Sequence, residues 1–254
     1  MRGFKATVRL SLLFFFSILS YGFYALILIL IKVTGKSYHP WRNGYMRFWS
    51  RGACLILNIR IQKKGEPPKA PFFLVSNHLS YIDIIPMYLH LDCTFVAKKA
   101  VRHWPLLGFM VSTMGVIFVD RTRKRDVNRV NRILTESMTS HQGVVVFPEG
   151  TTSGGDRILP FHSSLLQYPA EETIPVYTAA IRYETDETHG DSPAKESVCF
   201  FGGRDSFHKH LVKLAGNRRV DCVIRFGDTP VWDADRKKLA DKCRKSVQQL
   251  FEPM

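Results

Sequence analysis

Acidic side chains are scarce in this 254-residue chain: 22 Asp and Glu stand against 36 Lys and Arg, leaving a formal charge of +14 and a pI near 9.7. That imbalance favours an anionic partner, whether nucleic acid, a membrane surface or a phosphorylated substrate. Cysteine is sparse and unpatterned. Cys54, Cys93, Cys199, Cys222 and Cys243 make an odd total without a CxxC pair, which argues against a disulfide framework or zinc site and fits a reducing compartment. No acidic or histidine cluster suggests a metal, no GxSxG turn presents a strained serine nucleophile, and no internal repeat or low-complexity tract stands out. The length suits one α/β domain plus an appendage.

Charge is missing altogether from Leu10 to Ile31, a run of 22 residues. As a helix it would measure roughly 33 Å against a hydrocarbon core of about 30 Å. Arg2, Lys5 and Arg9 precede it as in a secretory signal, but the run exceeds the usual stretch of about 7–15 residues and no small-x-small cleavage site follows. An uncleaved membrane anchor is expected. Downstream, Trp41 to Ile61 interleaves Trp41, Tyr45, Phe48 and Trp49 with Arg42, Arg47, Arg51 and Arg60, which suits a second helix at the headgroup layer, rings at the interface and guanidinium groups on phosphates. Positive charge is denser after the apolar run, so the larger part of the chain is expected on the cytoplasmic face of the cell (inner) membrane. The expected division is 1–62 for N-terminal membrane-anchoring helices and 63–254 for an α/β domain, with Lys63 to Lys69 as polar connector.

Beyond the connector, short apolar runs alternate with helical patterns. Strands are expected at Phe72–Val75, Cys93–Ala97, Gly115–Val119, Val144–Phe147, Thr173–Tyr183, Val198–Phe201 and Asp221–Phe226. Helices are expected from the Ser80–Asp83 capping pair to His90, from Trp104, over Asp126–Ser140, over Phe161–Tyr168, and finally behind an Asp233 cap. Glu184–Ser197 reads as an exposed loop. This alternation points to a mostly parallel sheet flanked by helices.

Chemistry concentrates at two strand ends. His78 follows the strand Phe72–Val75, where parallel α/β sheets bind ligands. Five residues apart on a continuous helix, His78 and Asp83 would point roughly 140° apart. With His78 in the turn and Asp83 in the first helical turn, the carboxylate can fold back and orient the imidazole as a base; alternatively Asp83 only caps the helix. About seventy residues later, Val144–Phe147 runs into Pro148-Glu149-Gly150-Thr151, a turn able to aim backbone N–H groups at an anion or developing oxyanion. Lys98 and Arg121 close two other strands and are candidate phosphate contacts, Arg121 the better one for its rigid fork of donors.

Asn77-His78, four intervening residues and Asp83, followed by Phe147-Pro148-Glu149-Gly150-Thr151, resemble the paired signatures of the glycerolipid acyltransferase family. Gly115-Val116-Ile117-Phe118-Val119-Asp120-Arg121 and Ile174-Pro175-Val176 resemble its second and fourth blocks, in order. The resemblance spans about Pro71 to Arg182. It implies transfer of an acyl group from a coenzyme A or acyl-carrier-protein thioester to a lysolipid hydroxyl, most characteristically lysophosphatidic acid giving phosphatidic acid in phospholipid synthesis. It also implies a pair of N-terminal helices held in one leaflet. His78 and Asp83 are then the catalytic pair, and Asn77, Lys98, Arg121, Glu149, Gly150 and Thr151 the substrate-binding set. No cofactor or metal is called for, and membrane lipid rather than nucleic acid is the expected partner. The chain departs from the family at two places. Thr152 stands where these enzymes usually carry an arginine thought to meet the acceptor phosphate, and His162-Ser163-Ser164 replace a basic residue and glycine. Arg121, Lys98 or Arg157 would have to supply the charge, or the acceptor is another lysolipid such as a lyso-ornithine lipid. From other classes, a serine hydrolase using Ser76 or Ser80 and a non-catalytic membrane-surface binder also compete.

Overall fold

The structure is a computed structural model that describes residues 2–35, 37–98, 112–119, 127–203 and 205–254. Its seven described strands are β1 (Ile59–Lys64), β2 (Phe73–Ser76), β3 (Cys93–Lys98), β4 (Ile117–Val119), β5 (Gly143–Val146), β6 (Val176–Thr185) and β7 (Val220–Phe226). They form one sheet in the order β1-β7-β6-β2-β5-β3-β4. Every pairing is parallel except β6 with β7. The described helices are α1 (Arg2–Thr34), α2 (His39–Leu57), α3 (Ile84–His90), α4 (Val127–Ser137), α5 (Gln167–Glu171), α6 (Ala194–Ser197), α7 (Phe207–Gly216) and α8 (Arg236–Leu250).

The central strands are apolar throughout because helices cover both sheet faces. Alternate residues divide between two cores. Phe72 and Leu74 join the layer containing α2 and α3, with Val145 and Phe147, whereas Phe73, Val75, Val144 and Val146 join the layer containing α8. This parity sends the residues after β2 and β5 toward one face, which is where the site is built.

Several expectations need correction. Ile59–Lys64 is a strand, not a helix end followed by a connector: Asn58 takes a left-handed conformation (φ 56°) that ends α2, and the chain then pairs with β7 from Ile59 onward. The expected boundary at residue 62 falls inside β1. Val198–Phe201 is no strand; its backbone bonds two loops instead, Phe200 N–H donating to Leu79 O at 2.9 Å and Phe200 O accepting from the Thr152 hydroxyl. Glu184–Ser197 carries α6 and a short 3-10 turn at Glu187–His189, and Asp191 is buried, accepting from Arg218 N at 2.7 Å. The cap of α8 is Asp235, which accepts from Lys237 N and Lys238 N, while Asp233 accepts from Asp235 N one turn earlier. The expected helix from Trp104 lies outside the described residues.

Among the described residues one helix, α1, is long and apolar enough to cross a membrane, with a mean hydropathy of 2.3. Its exposed side chains include Phe15, Leu19, Phe23, Leu26 and Leu30, and α2 adds Trp41, Phe48 and Leu55 at intervals of two helical turns. Between them runs an apolar groove of about 630 Å³ bordered by Phe16, Phe23, Ile27, Trp41 and Phe48. Two of the three arginines of α2 are held by the protein instead of facing the expected headgroup layer, while Arg51 stays exposed. Arg42 is fully buried; its guanidinium donates to Asn43 Oδ1, Gln142 Oε1 and Cys93 O. Arg47 pairs with Asp92 at 2.7 Å. Arg42 therefore locks α2 to the starts of β3 and β5. Arg42→Met should leave Asn43 Oδ1 and Cys93 O without that donor, at about 1–3 kcal/mol for each unmet group, while Gln142 Oε1 keeps the His39 ring at 3.3 Å. We expect a net loss of about 3 kcal/mol, read as a Tm lower by roughly 6–12 °C in detergent; an unchanged Tm would show that the lock is dispensable.

Candidate active site

β2 and β5 are neighbours and end at the same sheet edge, so the two sequence motifs meet there. After Ser76, Asn77 turns its side chain back into the sheet. Its Nδ2 donates to Ile181 O at 2.9 Å, and its Oδ1 accepts from Ile181 N at 2.8 Å. Both ends of the amide are thus occupied by β6 and the residue is fully buried. Asn77 is a structural clamp, not the expected substrate contact.

That clamp releases His78 into the turn. A 3-10 turn over Tyr81–Asp83 then brings Asp83 back beneath it. Asp83 Oδ2 accepts from His78 Nδ1 at 2.7 Å, Leu79 N at 2.7 Å and Ser80 N at 3.0 Å. Its Oδ1 accepts from the Tyr183 hydroxyl at 2.9 Å. Asp83 thus caps the turn and orients the imidazole at once, so the two sequence alternatives are one arrangement. Because Oδ2 already accepts two backbone N–H groups, the proton of the third bond belongs on Nδ1. Nε2 is left with its lone pair and has no partner among the described residues. The His78 side chain keeps 23% of its surface open while Asp83 keeps none. One face of the ring stacks on Phe147 at 4.2 Å, and Phe147 stacks in turn on Phe95.

The second motif supports the first. Glu149 Oε1 accepts from the backbone N–H of His78 at 2.9 Å and Oε2 from Leu159 N at 3.1 Å. Ser153 N donates to His78 O at 2.9 Å. Burial pushes the Glu149 carboxyl up to about 7, and the two N–H donors offset only part of that rise. Gly150 turns the chain with φ 71°, a conformation that suits glycine. Glu149 braces the histidine turn and shows no free carboxylate for a substrate; Gly150 and the exposed Thr151 shape the adjoining lip. Lys98 is the last residue of β3, and Arg121 lies outside the described residues.

Tyr183 and Phe147 were missed as site residues. A tyrosine within the buried face of β6 must find a hydroxyl partner, and that was the available signal; nothing in the sequence indicated that the partner would be Asp83, 100 residues earlier. Ser76 and Ser80 are fully buried and neither hydroxyl bonds His78, which removes the nucleophile a hydrolase would need. No group of His, Cys, Asp and Glu among the described residues is placed to hold a metal ion.

Comparison with known proteins places this geometry. The Acyltransferase family matches residues 58–182, which include both motifs. A 1-acyl-sn-glycerol-3-phosphate acyltransferase of Neisseria meningitidis is 31% identical over 213 residues, 82% of this chain and 81% of that protein. A lyso-ornithine lipid O-acyltransferase of Pseudomonas aeruginosa is 29% identical over 231 residues, 91% of this chain and 87% of that one. In fold, the crystal structure of the 1-acyl-sn-glycerophosphate acyltransferase PlsC from Thermotoga maritima superposes with a TM-score of 0.68 over 98% of both chains at 18% identity. Sequence, fold and the ordered motifs agree, and the chain belongs to the Acyltransferase family, among the glycerolipid acyltransferases that its motifs resemble.

Proposed function

We propose that the chain is a membrane-anchored O-acyltransferase that moves a fatty acyl group from a coenzyme A or acyl-carrier-protein thioester to the free hydroxyl of a lysolipid. The observation that carries this reading is the tethered imidazole: Nδ1 bonded to Asp83 at 2.7 Å and Nε2 without a partner. Nε2 takes the proton of the acceptor hydroxyl as its oxygen attacks the thioester carbonyl. The tetrahedral intermediate collapses with cleavage of the carbon–sulfur bond, and the imidazolium returns the proton to the departing thiolate. Asp83 stabilises the imidazolium meanwhile, and Tyr183 holds Asp83. The backbone N–H groups of Thr151 and Thr152 make no hydrogen bond among the described residues and are the donors we assign to the developing oxyanion. Acceptors of this class appear in the relatives' names, lysophosphatidate in one and a lyso-ornithine lipid in the other. The exposed apolar faces of α1 and α2 are where the bilayer, from which both lipids come, would meet the protein. On the charge asymmetry around α1 the domain faces the cytoplasm.

His78→Ala is expected to lower kcat by about 10²–10⁴-fold. It should do so without loosening the turn, because Glu149 bonds the backbone of residue 78 and not its side chain. Thiol release from an acyl thioester in the presence of lysolipid is the readout, and near-normal turnover would remove the base assignment.

Glu149 yields a second prediction. Its folded value of about 7 lies above its ordinary value of 4.5. Between those pH values the unfolded chain loses a proton that the folded one retains, so this group lowers stability as pH rises from about 4.5 to 7 and adds no further change above. Glu149→Gln should flatten that part of the Tm–pH curve. It should also cost turnover, because an amide cannot accept from both His78 N and Leu159 N. A variant with the wild-type slope would place the titration elsewhere.

A further inference from the structure

A second space, of about 220 Å³, lies behind the histidine turn, bordered by Lys195, Glu196, Phe200, Phe201, Asp205 and Lys213. Its walls are tied to the residues that flank His78. Phe200 N donates to Leu79 O at 2.9 Å, and the Thr152 hydroxyl donates to Phe200 O. His210, also in the wall, donates from Nε2 to Cys199 O at 3.0 Å. Its Nδ1 therefore accepts from the Tyr81 hydroxyl at 3.1 Å. Gly154, in the turn after Glu149, lies flush on the same wall: a Cβ there would come within 2.7 Å of the Phe201 ring and 2.9 Å of Lys195 Cε. The pocket thus backs onto both motifs, through the bonds that Leu79 and Thr152 make to Phe200 in its wall.

The charge in this pocket is mixed. Lys195 pairs with Asp156 at 2.9 Å and Lys213 with Asp205 at 2.6 Å, each partly exposed, while Glu196 is exposed and makes no ion pair among the described residues. The lining therefore carries two described ammonium groups and two carboxylates, a balance of zero in a chain of net charge +14. A phosphate monoester, carrying about −1.5 to −2, would have to strip both lysines of their partners and still face Glu196. A headgroup with one anion and one ammonium has to displace only one of those partners and brings a counter-charge for Glu196. Its anion would reach a lysine, while its ammonium would sit against Glu196 and the ring faces of Phe200 and Phe201.

We infer that this pocket receives the headgroup of a zwitterionic lysolipid, with Lys195 and Glu196 as the residues that discriminate it from lysophosphatidate. The anion would be a phosphodiester or a carboxylate. This rests on the acyltransferase reading, since the pocket selects the acceptor whose hydroxyl His78 deprotonates.

The test measures kcat/KM of the full-length protein in mixed micelles, with coenzyme A and carrier-protein donors in parallel. Lysophosphatidate is compared with lysophosphatidylethanolamine and with a lyso-ornithine lipid, which separate the two anion types. The wild type should favour at least one zwitterion over lysophosphatidate by tenfold or more. Glu196→Lys should move that ratio tenfold or more toward lysophosphatidate, and Lys195→Gln should raise KM for the zwitterion with kcat little changed. Each ratio compares two acceptors on one preparation, so partial misfolding cancels. A wild-type preference for lysophosphatidate, or a ratio moved by neither substitution, overturns the headgroup assignment and leaves the acyltransferase reading standing. Thiol release with none of the three acceptors removes that reading and the assignment with it.

Discussion

Four hydrogen bonds converge on the Asp83 carboxylate, and the candidate site depends on them. Three reach a single oxygen, from the imidazole and the two backbone N–H groups that follow it. The same atom therefore shapes the turn and fixes the tautomer of the ring. If only the ring were bound, Asp83 would be free to swing; if only the backbone were bound, the ring would be free to flip. The Tyr183 hydroxyl closes the remaining oxygen. A fully buried carboxylate is tolerable because donors surround it, as a buried charge requires.

The sheet supplies the rigidity that four short bonds cannot. Parallel pairing of β2 with β5 brings the ends of both strands to one edge, alongside the middle of β6, which runs on to Thr185. There Asn77 joins β2 to β6, and Glu149 joins the end of β5 to the backbone of His78. Each of these side chains makes up for hydrogen bonding that the sheet ladder stops providing where the strands diverge. Keeping Glu149 buried raises its proton affinity, so the brace itself works against folding near neutral pH. Strain of this sort is tolerated where it holds a reactive group in place.

What the sequence made legible was local. The spacing of His78 and Asp83, the glycine turn after β5 and the mostly parallel sheet all follow from short-range pattern. What it concealed depends on partners far along the chain. Arg42 reads as a headgroup contact until Gln142, 100 residues later, is placed beside it. Tyr183 reads as an ordinary strand residue until β6 lies against β2. Ile59–Lys64 reads as a connector because Arg60, Lys63 and Lys64 lie on an edge strand, which has a neighbour on one side only and tolerates such charge. Val198–Phe201 misleads in the opposite sense: an apolar run can be a buried loop when its backbone bonds are made to other loops.

The anchor and the pocket are mechanically one unit. Arg9, at the start of α1, donates to Ala215 O at 3.1 Å and Asn217 O at 2.5 Å, the carbonyl end of α7, where a cation is favoured by the helix dipole. The same α7 presents Lys213 and His210 to the mixed-charge pocket. In the membrane reading, α1 fixes the depth of α7 relative to the bilayer, and α7 fixes the depth of the pocket. A lysolipid that keeps its chain in the hydrocarbon can then extend its headgroup only as far as that pocket lies from the interface. Selection by charge and selection by reach therefore act through one helix, and lengthening α1 without disturbing Arg9 would change the second while leaving the first alone.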